Sequence, residues 1–463
     1  MEDLVERTVN YGTMRGCKYV EVRIHVANST RIEVRNGKVL SATPGMDHGA
    51  CVRVLIDDGW GFSSTTNVDP KSLKDSVDYA IKSALATGQD ISESSLSKAP
   101  IVKREVILSE NEKTTSTPIE GKIRVILEAD KAARKVSRAI KTTLKYVDCY
   151  EEKYYGNSEG SRIKMEESWL YLRITAFASE AGVVQSYSDK FGVLGGFHKL
   201  RRFNYEEISE KVAEKALSLL KAEKTPAGKF TVVIDGDLAG LLAHEAFGHA
   251  AEADMVMEGT SVLKDKIGKR VASDRVTIVD DATLMNEFGS ISYDDEGVKG
   301  QRKIIVQNGF LRGFLSNRES AFKLGIPLTG NARAQDYKHP PIVRMTNTFF
   351  EGGDMSLEEL LEGVSYGIFA KGGRGGEVSP ADGVFQFGAQ EAYLIENGCI
   401  SKPLRDFSMS GFILETLKNV TGVGRDIVLK PGFCGKMGQT VRVSSGGPYI
   451  RIEKMAVGGR RWI

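Results

Sequence analysis

The chain has 463 residues with 63 basic and 61 acidic side chains, a net charge of +2, so nothing in its charge calls for nucleic acid or an anionic membrane as partner. Its length accommodates two or three domains with real cores, and its 5 cysteines are an odd, scattered set that argues against a disulfide framework. No run approaches the ~18 apolar residues that span a membrane, and the acidic start Met1-Glu2-Asp3-Leu4-Val5-Glu6-Arg7 lacks the apolar core of a signal peptide, so the expected compartment is the cytoplasm.

The predicted elements begin with a helix over 4–15 and strands over 19–26 and 31–34. Asn36-Gly37 is a hairpin signal before a strand at 38–41, because both residues tolerate the left-handed backbone of a tight turn. Strands at 50–56 and 59–63 follow, then a helix opened by Asp69-Pro70 and ended before Gly88. Residues 89–113 are rich in Ser, Glu and Lys and read as a surface connection. Thr117-Pro118-Ile119-Glu120 reads as a capping box with proline at the first helical position, opening a helix to about Ala139. Strands at 141–148, 152–155, 162–171 and 172–178 repeat the helix-then-strands order of the first segment. The repetition predicts two similar α+β units, about 1–88 and 117–222. A charged helix over 205–222 leads to Lys224-Thr225-Pro226-Ala227-Gly228, the best domain boundary in the chain. The fold class is therefore α+β: a layered N-terminal region over 1–224 and a β-rich domain over 229–463.

That second domain opens with a buried strand at 230–234 and the turn Asp235-Gly236-Asp237, then a helix from about Leu238 to Ala253. On the helix lies His244-Glu245-Ala246-Phe247-Gly248-His249, two imidazoles able to bind zinc and a carboxylate able to take a proton from water. With only 6 His in the chain, the pairing has a chance frequency on the order of a percent or less. The bland alternative is two helix histidines with packing or surface roles. On a regular α-helix, positions i and i+5 point roughly 140° apart, too far to grip one ion. A π turn, with about 4.4 residues per turn, brings them within roughly 50°. A bulged or kinked helix is therefore predicted at the motif, with Gly248 a place for the distortion. Downstream, strands are predicted at 276–279, 303–306, 310–315, 392–395, 427–429 and 441–443, with turns at Asn308-Gly309 and Asn397-Gly398. Gly372-Gly373-Arg374-Gly375-Gly376 reads as a loop. Without GxxxxGK[ST] or a placed GxGxxG, the glycines speak for close backbone approach rather than nucleotide binding.

Catalytic zinc commonly has three protein ligands, so one more is needed. Cys434, His339, Glu252 and Asp254 are the candidates, and chemistry alone leaves the choice open. Several stretches decide it by resemblance. Besides His244–His249 they include Asp294-Asp295-Glu296-Gly297, Thr329-Gly330-Asn331-Ala332-Arg333, Arg344-Met345-Thr346-Asn347-Thr348, Glu391–Gly398 and Cys434-Gly435-Lys436. Together the chain resembles the TldD/PmbA metallopeptidases, and within them the TldD type that carries the HExxxH motif. The resemblance implies one zinc ion per chain held by His244, His249 and Cys434, with Glu245 as the catalytic carboxylate. It implies unfolded peptides or proteins as substrates, cut with little sequence preference. It also implies a heterodimer with a PmbA/TldE-type paralogue that lacks the zinc motif; a homodimer is the alternative. His339 and Arg344 are expected as substrate contacts. Two rival readings are a non-catalytic subunit with a structural metal and a zinc amidohydrolase of small molecules.

Overall fold

The computed structural model describes residues 1–87, 95–108 and 113–459. Its N-terminal part contains α1 (Glu2–Met14), β1 (Tyr19–Arg35), β2 (Lys38–Ile56), β3 (Gly59–Thr65) and α2 (Pro70–Thr87). After β4 (Lys103–Ile107) come α3 (Ile119–Lys135), β5 (Ile140–Asn157), β6 (Arg162–Glu180), β7 (Val183–Leu194) and α4 (Tyr205–Ser218). Two helix–three strands–helix units are present, and they share one sheet. Its order is β3-β2-β1-β5-β6-β4, with β7 also on β6. The antiparallel β1–β5 pair joins the units.

The strands are longer than predicted. Asn28-Ser29-Thr30 read as a break, yet β1 runs through them because β2 and β5 pair with it on both sides. Those partners satisfy the backbone whatever the side chains are. In β2, the segment before Ala50 has no β3 partner. Pro44 sits there, where a missing N–H costs no ladder bond. The predicted surface connection is partly a strand: β4 pairs in parallel with β6, while 88–94 and 109–112 lie outside the described residues. The capping box is absent. Pro118 precedes the helix and no side chain caps it, since proline offers no acceptor there and holds Thr117 extended. That helix stops at Lys135, short of Ala139.

One face of the sheet is apolar. Val20, Val22, Ile24 and Val52 pack on α1 and α2, and Ile32, Leu144 and Leu170 pack on α3 and α4. The other face carries Glu151, Glu167 and Trp169 and looks toward the C-terminal half.

The C-terminal half follows β8 (Glu223–Lys224) with β9 (Gly228–Ile234), α5 (Gly236–Leu241), α6 (Ala253–Met257), β10 (Ile278–Asp281), β11 (Arg302–Gln307), β12 (Phe310–Leu311) and α7 (Arg318–Leu324). Next come β13 (Ala332–Arg333), β14 (Ile342–Val343), β15 (Asn347–Phe350), α8 (Leu357–Leu361), β16 (Tyr366–Ser379), β17 (Val384–Glu396), β18 (Cys399–Arg405) and β19 (Phe407–Phe412). Last are α9 (Ile413–Lys418), β20 (Val420–Val423), β21 (Val428–Lys436), β22 (Gln439–Gly447) and β23 (Ile450–Gly459). Strands β16, β9, β23, β19 and β17 close into a ring, because β16 also pairs with β17. A second sheet has the order β12-β11-β10-β15-β22-β21. The predicted glycine loop at 372–376 is part of β16, with a register shift between Gly373 and Gly376. Glycines there admit the bulge, so a loop was the wrong reading.

Helix α5 lies between the ring and the second sheet, and one position sets how closely. A Cβ on Gly240 would meet Gly446 N at 2.4 Å and its Cα at 2.6 Å. Both are backbone atoms, so Gly240→Ala is expected to destabilise the protein by about 1–3 kcal/mol. Thermal unfolding checks this; an unchanged midpoint would mean that α5 can shift freely.

Candidate metal centre

Asp235 accepts from Leu238 N at 3.0 Å and caps α5. It also accepts from Gly372 N at 3.0 Å, tying the helix start to β16. The α-geometry ends at Leu241, and Leu242–Gly248 form a π-helix. The N–H of His249 bonds the carbonyl of His244, a five-residue step that closes the wider turn. The two imidazoles consequently lie on one side, with ring centroids 5.2 Å apart. A 3-10 turn over His249–Ala251 follows, so the helix predicted over 238–253 is a chain of short helical pieces rather than one rod. Gly248 itself is helical, at φ −58. Its value is space: a Cβ would fall 2.1 Å from Met345 Sδ.

Cys434 lies in β21, three residues before the hairpin turn at Met437-Gly438, where both φ angles are positive. The hairpin carries it to the π turn. Ligand atoms of His244, His249 and Cys434 all lie within 4.8 Å of one another, and Cys434 Sγ is 3.4 Å from His249 Nε2. His244 and Cys434 are buried. Glu245 is partly open to solvent and its Oε2 stands 3.7 Å from His249 Nε2.

The other candidate ligands have different partners. Glu252, fully buried, stands 3.0 Å from His249 Nδ1. This contact orients the ring and leaves Nε2 for a metal. Lys436 Nζ reaches Glu252 at 3.0 Å and Asp254 at 2.7 Å. Sequence reasoning passed over Lys436, although two residues from Cys434 on a strand is the same face. His339 is outside the cluster, with its Nδ1 2.7 Å from Asp336 Oδ1. Arg344 is wholly buried and donates to the carbonyls of Cys434 at 2.5 Å and Gln439 at 3.2 Å. It braces the hairpin from within, its guanidinium buried against main-chain carbonyls. The matched Asp294–Gly297 stretch joins the halves: Glu296 pairs with Arg53 at 2.6 Å and Asp295 with Arg23 at 3.3 Å.

The donor set fits zinc in chemistry. Burial opposes charge on the Cys434 thiol, yet the two imidazoles hold its pKa well below the usual thiol range. Burial likewise opposes charge on His249, but Glu252 and Cys434 raise its pKa well above the ordinary value. His244 is also raised, against burial, by Cys434, and its Nδ1 is buried with no hydrogen-bond partner. A thiolate beside two imidazoles, in surroundings that favour added positive charge, is a donor set that could hold a soft cation.

Three family models match in order: PmbA/TldA metallopeptidase domain 1 over 20–87, the central domain over 112–220 and the C-terminal domain over 227–459. A metalloprotease of Methanothermobacter thermautotrophicus is 41% identical over 442 residues, covering 96% of each chain. A zinc metalloprotease TldD homolog of Saccharolobus solfataricus is 32% identical over 448 residues, covering 96% of this chain and 97% of the relative. The crystal structure of TldE from Thermococcus kodakarensis shares the fold, with a TM-score of 0.82 at 19% identity over 98% of this chain and 100% of that one. With all three domains matched in order and relatives of this similarity along nearly the whole chain, the protein belongs to the PmbA/TldA metallopeptidase family, the TldD/PmbA family that its motifs resemble.

Proposed function

We propose that the chain is a zinc-dependent peptidase acting on unfolded peptides or proteins with little sequence preference. The observation that carries this reading is the convergence of His244, His249 and Cys434 within 4.8 Å beside a solvent-accessible Glu245. The zinc metalloprotease name of the Saccharolobus relative supports the metal. His244, His249 and Cys434 would hold one ion. When bound, zinc supplies Lewis acidity to a peptide carbonyl and to water. Glu245 takes the proton of the attacking water and hands it to the leaving nitrogen. A substrate bound as an added strand explains low sequence preference, since main-chain hydrogen bonds are alike for every residue. A partner is proposed as well: a TldE-type paralogue, in keeping with the likeness to TldE. No helix among the described residues is long and apolar enough to cross a membrane, and we place the work in the cytoplasm.

The test is cleavage of an unstructured peptide by the purified chain, read by mass spectrometry with and without a zinc chelator. Zinc-dependent products support the reading. No products from a zinc-loaded chain, alone or with the paralogue, would leave a binding subunit instead.

Glu252→Gln keeps the shape but removes the charge that faces His249. Zinc affinity is expected to fall by about 10–100-fold, measured by competition with a chelating dye. Unchanged affinity would make Glu252 a packing residue only.

A further inference from the structure

A cavity of about 670 Å³ lies between the helix-free face of the N-terminal sheet and the C-terminal half, within the ~300–1,000 Å³ range of small-ligand sites. Its lining includes Glu151, Glu167 and Trp169 from the sheet and Arg333, Phe433 and Arg442 from across it. The metal cluster is not part of this lining. Phe433 borders the cavity while Cys434 joins the cluster. Neighbours on a strand face opposite ways, so the β21–β22 hairpin separates the two.

Most charges around this cavity have partners. Glu151 accepts from Trp169 Nε1 at 3.0 Å and lies 2.7 Å from His25 Nε2. Glu167 accepts from Arg442 at 2.5 Å. Asp295 faces Arg23 at 3.3 Å and Lys153 at 3.5 Å, and accepts from Ala334 N at 2.8 Å. Arg333 differs. It is 6% exposed, and its guanidinium makes one hydrogen bond among the described residues, to the Met345 carbonyl at 2.6 Å. No carboxylate lies within ion-pair distance of it among the described residues, though Asp295 and Glu167 are near enough to oppose the fall in its pKa. Burial, with Arg442 and Arg344 nearby, pushes its pKa down to about 10, as under-compensated positive charge does.

A buried charge that makes no ion pair of its own and is only partly offset by Asp295 and Glu167 is costly, so an anion that reaches the guanidinium gains what the protein leaves unpaired. The planar fork of a guanidinium suits a carboxylate. Trp169 and Phe433, edge to face at 6.0 Å, supply an apolar wall beside it. Every linear peptide carries one carboxylate at its C-terminus.

We infer that Arg333 anchors the C-terminal carboxylate of a peptide in this cavity, on the far side of the β21–β22 hairpin from the metal cluster. The inference rests on the peptidase reading and adds a preference for free chain ends. The recognised group is a carboxylate, which a peptide also offers on acidic side chains, and the probes separate these sources.

Acetylated tetra-alanine is titrated by calorimetry into the Glu245→Gln protein in three forms: free acid, C-terminal amide, and an amide with one Ala replaced by Asp. The free acid is expected to bind about 10–100-fold tighter than the plain amide, the range of a charge-assisted hydrogen bond. Arg333→Gln should abolish that preference, and Arg333→Lys, keeping the charge without the fork, should retain part of it. Equal binding of acid and plain amide by the Glu245→Gln protein overturns the inference without any Arg333 variant having to fold. So does a preference that survives Arg333→Gln, and so does an Asp-bearing amide that binds as well as the free acid. Because binding is read without turnover, its failure is distinct from a failure to find peptide cleavage.

Discussion

Glu245→Gln is expected to abolish peptide hydrolysis while leaving zinc binding intact. The carboxylate stands 3.7 Å from His249 Nε2 and about a third of its side-chain surface is open, so it can meet both water and a substrate. Glutamine matches it in size but cannot accept a proton. General-base contributions are about 10²–10⁴-fold, or about 3–5 kcal/mol of barrier, and the loss should fall in kcat with KM little changed. Single-turnover cleavage of an unstructured peptide, with metal content measured on the same samples, is the check. A variant that keeps zinc and cleaves at the parent rate would remove Glu245 from the chemistry.

Cys434→Ser is expected to weaken zinc binding beyond the ~10–100-fold typical of losing an outer partner of a ligand, because on the proposed reading it removes a donor itself. A serine hydroxyl stays protonated near neutrality and is a poor, hard donor, whereas the thiolate is soft and charged. The two imidazoles that hold the thiol well below its usual pKa would lose their anionic neighbour at the same time. The fold should tolerate the change, since Arg344 holds the main-chain carbonyl of this residue and not its sulfur. Metal titration with a competing dye, beside a thermal melt, separates lost affinity from lost structure. Full zinc occupancy at parent affinity in a folded variant would show that Cys434 is no ligand.

The distorted helix was legible because it follows from arithmetic on one local segment. Two ligands at i and i+5 meet only if the turn widens, and a π turn is what spans His244 and His249. Cys434 was reachable only through resemblance, since it lies 185 residues from His249 and no local rule relates them. The strand lengths were misread for a related reason. Polar runs such as Asn28-Ser29-Thr30 and the glycines at 372–376 look like breaks, but neighbouring strands hold both extended.

By itself the sequence determined the α+β class, the repeat of helix-and-strand units, and the motif whose residue types call for a metal. These are short-range properties, carried by periodicity, turn chemistry and spacing. Only the tertiary structure decided that the two N-terminal units share one sheet and that Lys436 and Glu252 stand behind His249. It also decided that Arg344 is walled in beneath the hairpin, and that Arg333 lines a cavity with no ion pair of its own among the described residues. Each of these depends on which distant strands pair and on what burial does to a charge, and neither is encoded in any stretch of chain short enough to be read alone.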